Sequence, residues 1–496
     1  MGTDSPAPGL SDSSQITFDL QNLSMGRGRP FPPPIPDPQH YLVDFDLPDD
    51  QYHPYNWKLS KRVFLSILVC SGTFVASFNS AAFAPAIEAA GVTFGASAEV
   101  ATLGTTLFVL GFVAGPILWA PFSELQGRKW PLTIALVGGG IFSIGAAASK
   151  DIQTLLICRF FAGVCGSSPF SVVPGVLSDL FDNSYRGVAI AIYALTVFEG
   201  PFMAPIVGSF IVASPEVLSW RWTLYIPAIL SLIVGGISTV FLQETYAPCL
   251  LVKKAVRLRE LTNNWGIHAR HERTEAGARE LIDKYFMLPL KLLFTEPIVF
   301  LVSLYMSIIY GIVYALLEAY PYVFQHVYGM GTGASCLPFL GLFLGVLFAC
   351  AFIVMQQAEY VQLLAKHDNV LRPEWPLRST IVGAPVLSAG IFWFGWTAFT
   401  SSIHWAVPTA AGAFIGFGTL CVFLPCFNYL INAYLPFCCK RDPAFLGCGE
   451  FPTLFQTNVP GLRHAVGMYT TWRLVRGHDP HSSYIPSVGA MAEAKE

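Results

Sequence analysis

The chain has 496 residues, of which 53% are hydrophobic and only 12% charged, with a net charge of −3. Soluble globular domains carry about 25% charged residues, so this composition excludes a large water-soluble core and points to a protein that crosses a membrane many times. No basic face is available for nucleic acid, and that class of partner is excluded too.

Residues 1 to about 60 are polar, with Pro30, Pro32, Pro33, Pro34, Pro36 and Pro38 followed by Asp44, Asp46, Asp49 and Asp50. No basic segment leads into an apolar one, so no signal peptide is read, and the stretch is expected to be a disordered cytosolic tail.

A spanning helix needs roughly 20 mostly apolar residues. Runs that qualify begin near Val63, Val100, Pro131, Ile152, Val188 and Trp222. A polar stretch follows, and further runs begin near Pro297, Ala334, Thr380 and Trp405. The expected fold is therefore all-α and polytopic. A six-span bundle covers 61–243, a charged central loop 244–296 and a four-span bundle 297–435, while 436–496 does not span. Such a layout resembles a two-bundle secondary transporter with a short second bundle.

Basic residues set the orientation. Arg128, Lys129, Arg186, the central loop (Lys253, Lys254, Arg257, Arg259) and Arg372 with Arg378 all fall on one side, against Lys150 and Arg221 on the other. The N-terminus and the central loop are expected in the cytoplasm. Two GxxxG steps, Gly111 with Gly115 and Gly341 with Gly345, fall at similar places in the second and eighth runs and suggest an internal repeat. Ordinary close packing of small residues explains them equally well.

The eleven cysteines form no disulfide pattern, and no Cys/His spacing suggests a metal or other cofactor. Neither a Walker sequence nor a hydrolase or metalloprotease constellation occurs, which argues against an ATP-driven pump and against an enzyme.

The strongest local signal runs from Trp119 to Lys129, where Ser123, Glu124, Gly127, Arg128 and Lys129 close the second span with a tight turn. A plain positive-inside loop accounts for Arg128 and Lys129 but not for Glu124 or the turn. These residues resemble the loop between spans two and three of the major facilitator superfamily, with Ala120, Glu124 and Leu125 departing from its pattern. The closer resemblance is to the fungal drug:proton antiporters of that superfamily, over roughly residues 41–435. It rests on Val43 to Asp46 with Asn56-Trp57, on Arg159 to Gly163 and Asp179, and on Trp220-Arg221-Trp222. Glu244 to Pro248 and Glu318 to Pro321 extend it, with Gln243 where proline is usual. Gly200, Pro201, Pro205 and Gly208 are similar to the family's antiporter motif in the fifth span, with Ala204 and Ser209 replacing two glycines.

The resemblance implies a secondary active transporter that exports small amphipathic drugs, toxins or metabolites in exchange for protons. Import or export of a polar nutrient such as a polyamine is the alternative, and a non-transporting receptor on the same scaffold is a third reading. It further implies a monomer in the plasma membrane and a cytoplasmic gate built from Glu124, Gly127, Arg128 and Asp179. An Arg–carboxylate pair suits a gate because its charge-assisted bonds can be exchanged, whereas a plain surface pair contributes only about 0–1 kcal/mol.

Two charges lie inside spans, Arg159 in the fourth and Glu199 in the fifth. Each costs roughly 2.5–3.5 kcal/mol at bilayer depth, so each should face a cavity or a partner. Glu199 can escape the cost by taking up a proton, as a proton carrier must; a permanently protonated or Arg-paired structural acid is the competing reading. Arg159 is the expected partner of such an acid, and Glu318 is read as a rim residue or a second coupling candidate. Asn79, Phe78, Tyr193, Phe198, Tyr310 and Tyr314 are candidates to line the substrate path.

In the family two more spans would follow Leu435. The text from Pro436 onward, interrupted by Cys438 to Pro443 and then Pro452 and Pro460, offers no run of about 18 apolar residues. A reading-frame or splicing difference is the expectation here, with a true ten-span variant or a short re-entrant end as the alternative. On the first reading the chain as written is poorly stable or inactive.

Overall fold

In a computed structural model the structure describes residues 41–46, 50, 52–214, 219–273, 287–366 and 377–441. Among these, ten helical segments are long and apolar enough to cross a membrane. In order they are Leu59–Phe94, Glu99–Gln126, Lys129–Ala147, Ile152–Leu180, Tyr185–Val212, Trp222–Phe241, Pro297–Val327, Ala334–Leu363, Arg378–Thr397 and Ala406–Leu430. Each overlaps one apolar run. The last helix continues through Pro436 to Arg441 rather than stopping at Leu435. Residues 442–496 lie outside the described residues.

Prolines decide where spans break. Pro85 sits in a short 3-10 turn at Ala84–Ala86 that divides the first span. Pro116 and Pro169 start new helices within the second and fourth, since a proline is tolerated in a first helical turn but not inside. The fifth span is different. It is one helix, Asn183–Val212, with Pro201 and Pro205 inside it. Its continuity has a visible support: Ser77 Oγ, from the first span, donates to the Val197 carbonyl, which Pro201 cannot serve. Tyr193 does the same for the fourth span, its phenol donating at 3.3 Å to the Phe170 carbonyl freed by Pro174.

Glycines bring the spans together. A Cβ at Gly111 would overlap the Phe160 carbonyl and one at Gly163 the Phe108 carbonyl, so spans two and four touch backbone to backbone. Gly341 and Gly345 meet the Thr409 and Ala413 carbonyls in the same way, joining spans eight and ten. The two GxxxG steps therefore mediate corresponding contacts, as the internal-repeat reading requires. Gly200 and Gly208 of the fifth span press on Phe78 and Pro85 of the first.

The polar segment after Leu242 is not a bare loop. Helix Ala247–Thr262 starts with Pro248 in its first turn and stops where Asn263 turns left-handed at φ 53°. A second helix covers Leu288–Thr295. Part of the stretch expected to be a disordered tail is also tied down. Val43 N donates to the His268 carbonyl and His268 N to the Tyr41 carbonyl, both at 3.0 Å. Composition alone favoured disorder there, but the acids have a half-buried cationic partner, Lys254.

Candidate functional site

Two clusters of polar side chains stand out, one at the central-loop end of the first six spans and one deep within them. In the first, Gly127 adopts φ 89°, and a Cβ there would run into the Glu244 carboxylate. That carboxylate caps the turn, accepting from Arg128 N at 2.8 Å and Lys129 N at 3.2 Å. It also accepts from Tyr246 N at 2.9 Å. With the backbone so held, the Arg128 side chain reaches Asp179 (Nε to Oδ2, 3.4 Å) and the Ser123 hydroxyl (Nη1 to Oγ, 2.9 Å). Its guanidinium lies 4.6 Å from the centre of the Tyr246 ring. Thr245 Oγ1 contributes a longer contact to Asp179 Oδ2, 3.5 Å.

The expected gate residues Gly127, Arg128 and Asp179 are thus gathered at one place. Glu124 lies half-buried beside them, close to Tyr246. Missing from the sequence reading was Glu244, the buried acid that fixes the turn. Its signal was present in the Glu244-to-Pro248 motif, but a carboxylate aimed at backbone amides is not distinguishable in sequence from one at a helix end.

The second cluster surrounds Arg159, which is completely buried. Its donors go to the Gly104 carbonyl (3.1 Å), the Asn79 carbonyl and side-chain oxygen (3.2 and 3.1 Å) and the Ser80 carbonyl (3.5 Å). The Phe108 ring covers it at 4.3 Å. The expected partnership with Glu199 is corrected: among the described residues Arg159 has no carboxylate partner. Backbone oxygens from spans one and two solvate the charge instead. Asn79 spends its amide nitrogen on Ser143 Oγ at 2.8 Å, so both ends of this candidate path residue are engaged.

Glu199 is 5% exposed, and neither of its carboxyl oxygens has a hydrogen-bond partner among the described residues. It follows Phe198 on the fifth span. The Phe198 ring stands 5.1 Å from Phe423 of the tenth span and 6.5 Å from Tyr310 of the seventh. Tyr310 in turn is 5.1 Å from Tyr314, whose hydroxyl donates to Ser80 Oγ at 3.1 Å. Phe198, Tyr310 and Tyr314 are therefore brought together across the spans. Phe423 was missed, because a phenylalanine in an apolar span carries no local mark. Phe78 is buried against Phe74 at 6.0 Å, and Tyr193 commits its hydroxyl to Phe170. Glu318 is exposed on the seventh span, one helical turn beyond Tyr314. Among the described residues no group of His, Cys, Asp and Glu could hold a metal.

Comparison with known proteins agrees with this architecture. The family model described as Major Facilitator Superfamily matches residues 69–437. A multidrug transporter of Candida glabrata, TPO1_2, is 43% identical over 412 residues, covering 83% of this chain and 70% of that protein. The major facilitator superfamily multidrug transporter FLU1 of Candida albicans is 41% identical over 412 residues, 83% of this chain and 67% of its own. The citrinin biosynthesis cluster MFS transporter mrr1 of Monascus ruber is 39% identical over 396 residues, 80% and 79% of the two chains. Among solved structures, the proton:xylose symporter XylE bound to 6-bromo-6-deoxy-D-glucose superposes with a TM-score of 0.55. It is 18% identical and covers 76% of this chain and 82% of that one, a likeness of fold alone.

Proposed function

The chain belongs to the major facilitator superfamily as a multi-pass membrane protein, and from that premise we propose that it exports small amphipathic compounds in exchange for protons. The relatives' names, two multidrug transporters and one transporter of a metabolite cluster, support export over nutrient import and over a receptor role. We place it as a monomer in the plasma membrane, with the N-terminus and the central loop in the cytoplasm, following the distribution of Lys and Arg.

The observation that carries the reading is Glu199, a buried carboxyl with no hydrogen-bond partner at either oxygen among the described residues, next in the chain to Phe198, whose ring meets Tyr310 of the seventh span and Phe423 of the tenth. An unpaired carboxylate in a dry interior is strongly disfavoured, so Glu199 holds a proton while enclosed and releases it when the site opens to water. The rings of Phe198, Tyr310, Tyr314 and Phe423 offer flat apolar surface to a substrate. Arg159 acts on the same site through Ser80, to which Tyr314 also bonds.

The energetics suffice. One proton moving down about 100 mV gains roughly 2.3 kcal/mol, and two pH units add about 2.7 kcal/mol. The sum supports a substrate gradient of over about a thousandfold. The test is reconstitution into vesicles with an imposed pH difference, screening fluorescent amphipathic compounds for movement against their gradient. Movement that ignores the pH difference would reject proton exchange.

A further inference from the structure

One ion pair lies outside both clusters yet is built into the frame around the first. Lys254, two turns into helix Ala247–Thr262, has its ammonium directed at Asp50 Oδ2 (2.7 Å), Asp46 Oδ2 (3.0 Å) and the Asp44 carbonyl (3.0 Å). An ammonium has three donors, and all three are used. The side chains of Lys254 and Asp50 are only 12% and 4% exposed. Asp50 also folds its own segment, accepting from Tyr52 N at 2.8 Å and Asp46 N at 3.1 Å.

From this pair two arms run to the Arg128 cluster. Along the loop helix, the chain leads back to Tyr246 and Glu244, whose ring and carboxylate hold the Arg128 guanidinium and backbone respectively. In the segment before the first span, Tyr55 donates its hydroxyl to the Ser178 carbonyl at 3.1 Å, and Arg62, in the first turn of that span, donates to the Leu180 carbonyl at 3.3 Å. Those two carbonyls end the fourth span, where helix oxygens lack internal partners, and they flank Asp179. The circuit closes: Asp50 to Lys254, to Glu244 and Tyr246, to Arg128, to Asp179, to Tyr55 and back to Asp50.

We propose that Asp50 and Lys254 are positioning residues of the gate, whose ion pair holds the segment before the first span as a strap that sets Asp179 opposite Arg128. This rests on reading the Arg128 cluster as a gate. The pair's effect is transmitted through the Ser178 and Leu180 carbonyls on one side and Tyr246 on the other. Losing the pair leaves every Arg128 contact chemically possible but no longer preassembled, so the cluster opens more often.

Cys249 provides a native reporter. It is half-buried in the first turn of the loop helix, and burial pushes its thiol up to about 11, which makes it slow to react while the cluster is closed. Purified full-length protein in nanodiscs is treated with a maleimide, and labelling of the Cys249 peptide is followed by mass spectrometry. Arg128→Ala is the control and should raise the rate. Asp50→Asn should raise it about tenfold, the change expected from losing one charge-assisted bond, and Lys254→Met, which loses all three ammonium bonds, by at least as much. Lys254→Arg should stay near the parent, and Asp50→Asn combined with Arg128→Ala should label no faster than Arg128→Ala alone. Should a strap variant fail to yield folded protein, Lys254→Gln takes its place in the same comparison. A rise with Arg128→Ala but not with the strap variants overturns the strap alone. No rise with Arg128→Ala removes the gate and the strap together. Additive rates, or a Lys254→Arg as fast as Lys254→Met, mean that the strap acts only on general stability and overturn the proposal.

Discussion

Ser77 donates its hydroxyl to the Val197 carbonyl, the oxygen that Pro201 leaves without its helical amide. Two adjacent spans thus share one hydrogen bond at the proline of the antiporter-like motif. The same logic joins Tyr193 to Phe170 above Pro174. At these two prolines a neighbouring side chain replaces the lost amide donor.

Ser77→Ala should therefore destabilise the protein by about 1–3 kcal/mol, the cost of leaving a buried carbonyl unpaired. In a Pro201→Ala background the new amide serves Val197, and the cost of Ser77→Ala should shrink. Thermal unfolding in detergent measures both. Equal costs in the two backgrounds would show that Ser77 acts by packing alone.

Glu199→Gln removes the ionisable proton while keeping shape. It should abolish pH-driven exchange in reconstituted vesicles and leave substrate binding measurable. Unchanged dependence on the pH difference would remove Glu199 from the mechanism.

Arg159→Ala is expected to act on folding more than on coupling. It strips partners from the Asn79 side-chain oxygen and from the Gly104 and Ser80 carbonyls together. A loss of several kcal/mol is the order seen when a buried charged network is broken. Arg159→Lys should recover only part of it, since a three-donor ammonium cannot reproduce the planar fork. Thermal midpoints of the two variants decide the matter. A normally stable Arg159→Ala protein that has lost exchange would restore the coupling role.

Gly127→Ala forces a side chain into left-handed backbone and against the Glu244 carboxylate. The backbone term alone, at positive φ with extended ψ, costs roughly 1–3 kcal/mol. The variant should melt earlier than the parent and label faster at Cys249. Slow labelling would mean that the turn tolerates a Cβ without disturbing Arg128.

The strap should be stable across the neutral range. Burial alone would push the Asp50 carboxyl up, but bonds from Lys254 and from the Tyr52 and Asp46 amides outweigh it and hold it below the ordinary carboxylate value. A depressed carboxyl contributes stability above its unfolded value and loses it as pH falls through the folded one. Burial likewise pushes Lys254 down, and its bonds to Asp50 and Asp46 outweigh this and leave it raised. That contribution is full below the unfolded lysine value and fades as pH rises through the higher folded one. The stability difference between parent and Asp50→Asn should therefore stay flat around neutrality and shrink at the acidic and strongly basic ends. A marked change between about pH 6 and 8 would point to His53 of the same segment, whose imidazole burial pushes down and the Asp50 charge pushes partly back up.

Sequence by itself determined the number and order of the ten described spans, because a bilayer imposes a length and polarity requirement that each run meets or fails on its own. The turn at Gly127 was legible for the same reason: a glycine before two basic residues at a span end is a local signal. Partnerships were not. Arg159 and Glu199 both read as costly buried charges that should find each other, yet Arg159 is solvated by carbonyls of Asn79, Ser80 and Gly104 while Glu199 has no hydrogen-bond partner among the described residues. Glu244, Phe423 and Lys254 became functional candidates only through what they face. Hydrophobicity is a property of a segment and survives in one dimension, but a hydrogen bond needs two groups within about 3 Å. Only the packing of span one against span five, and of the loop helix against the strap, decided which groups those are.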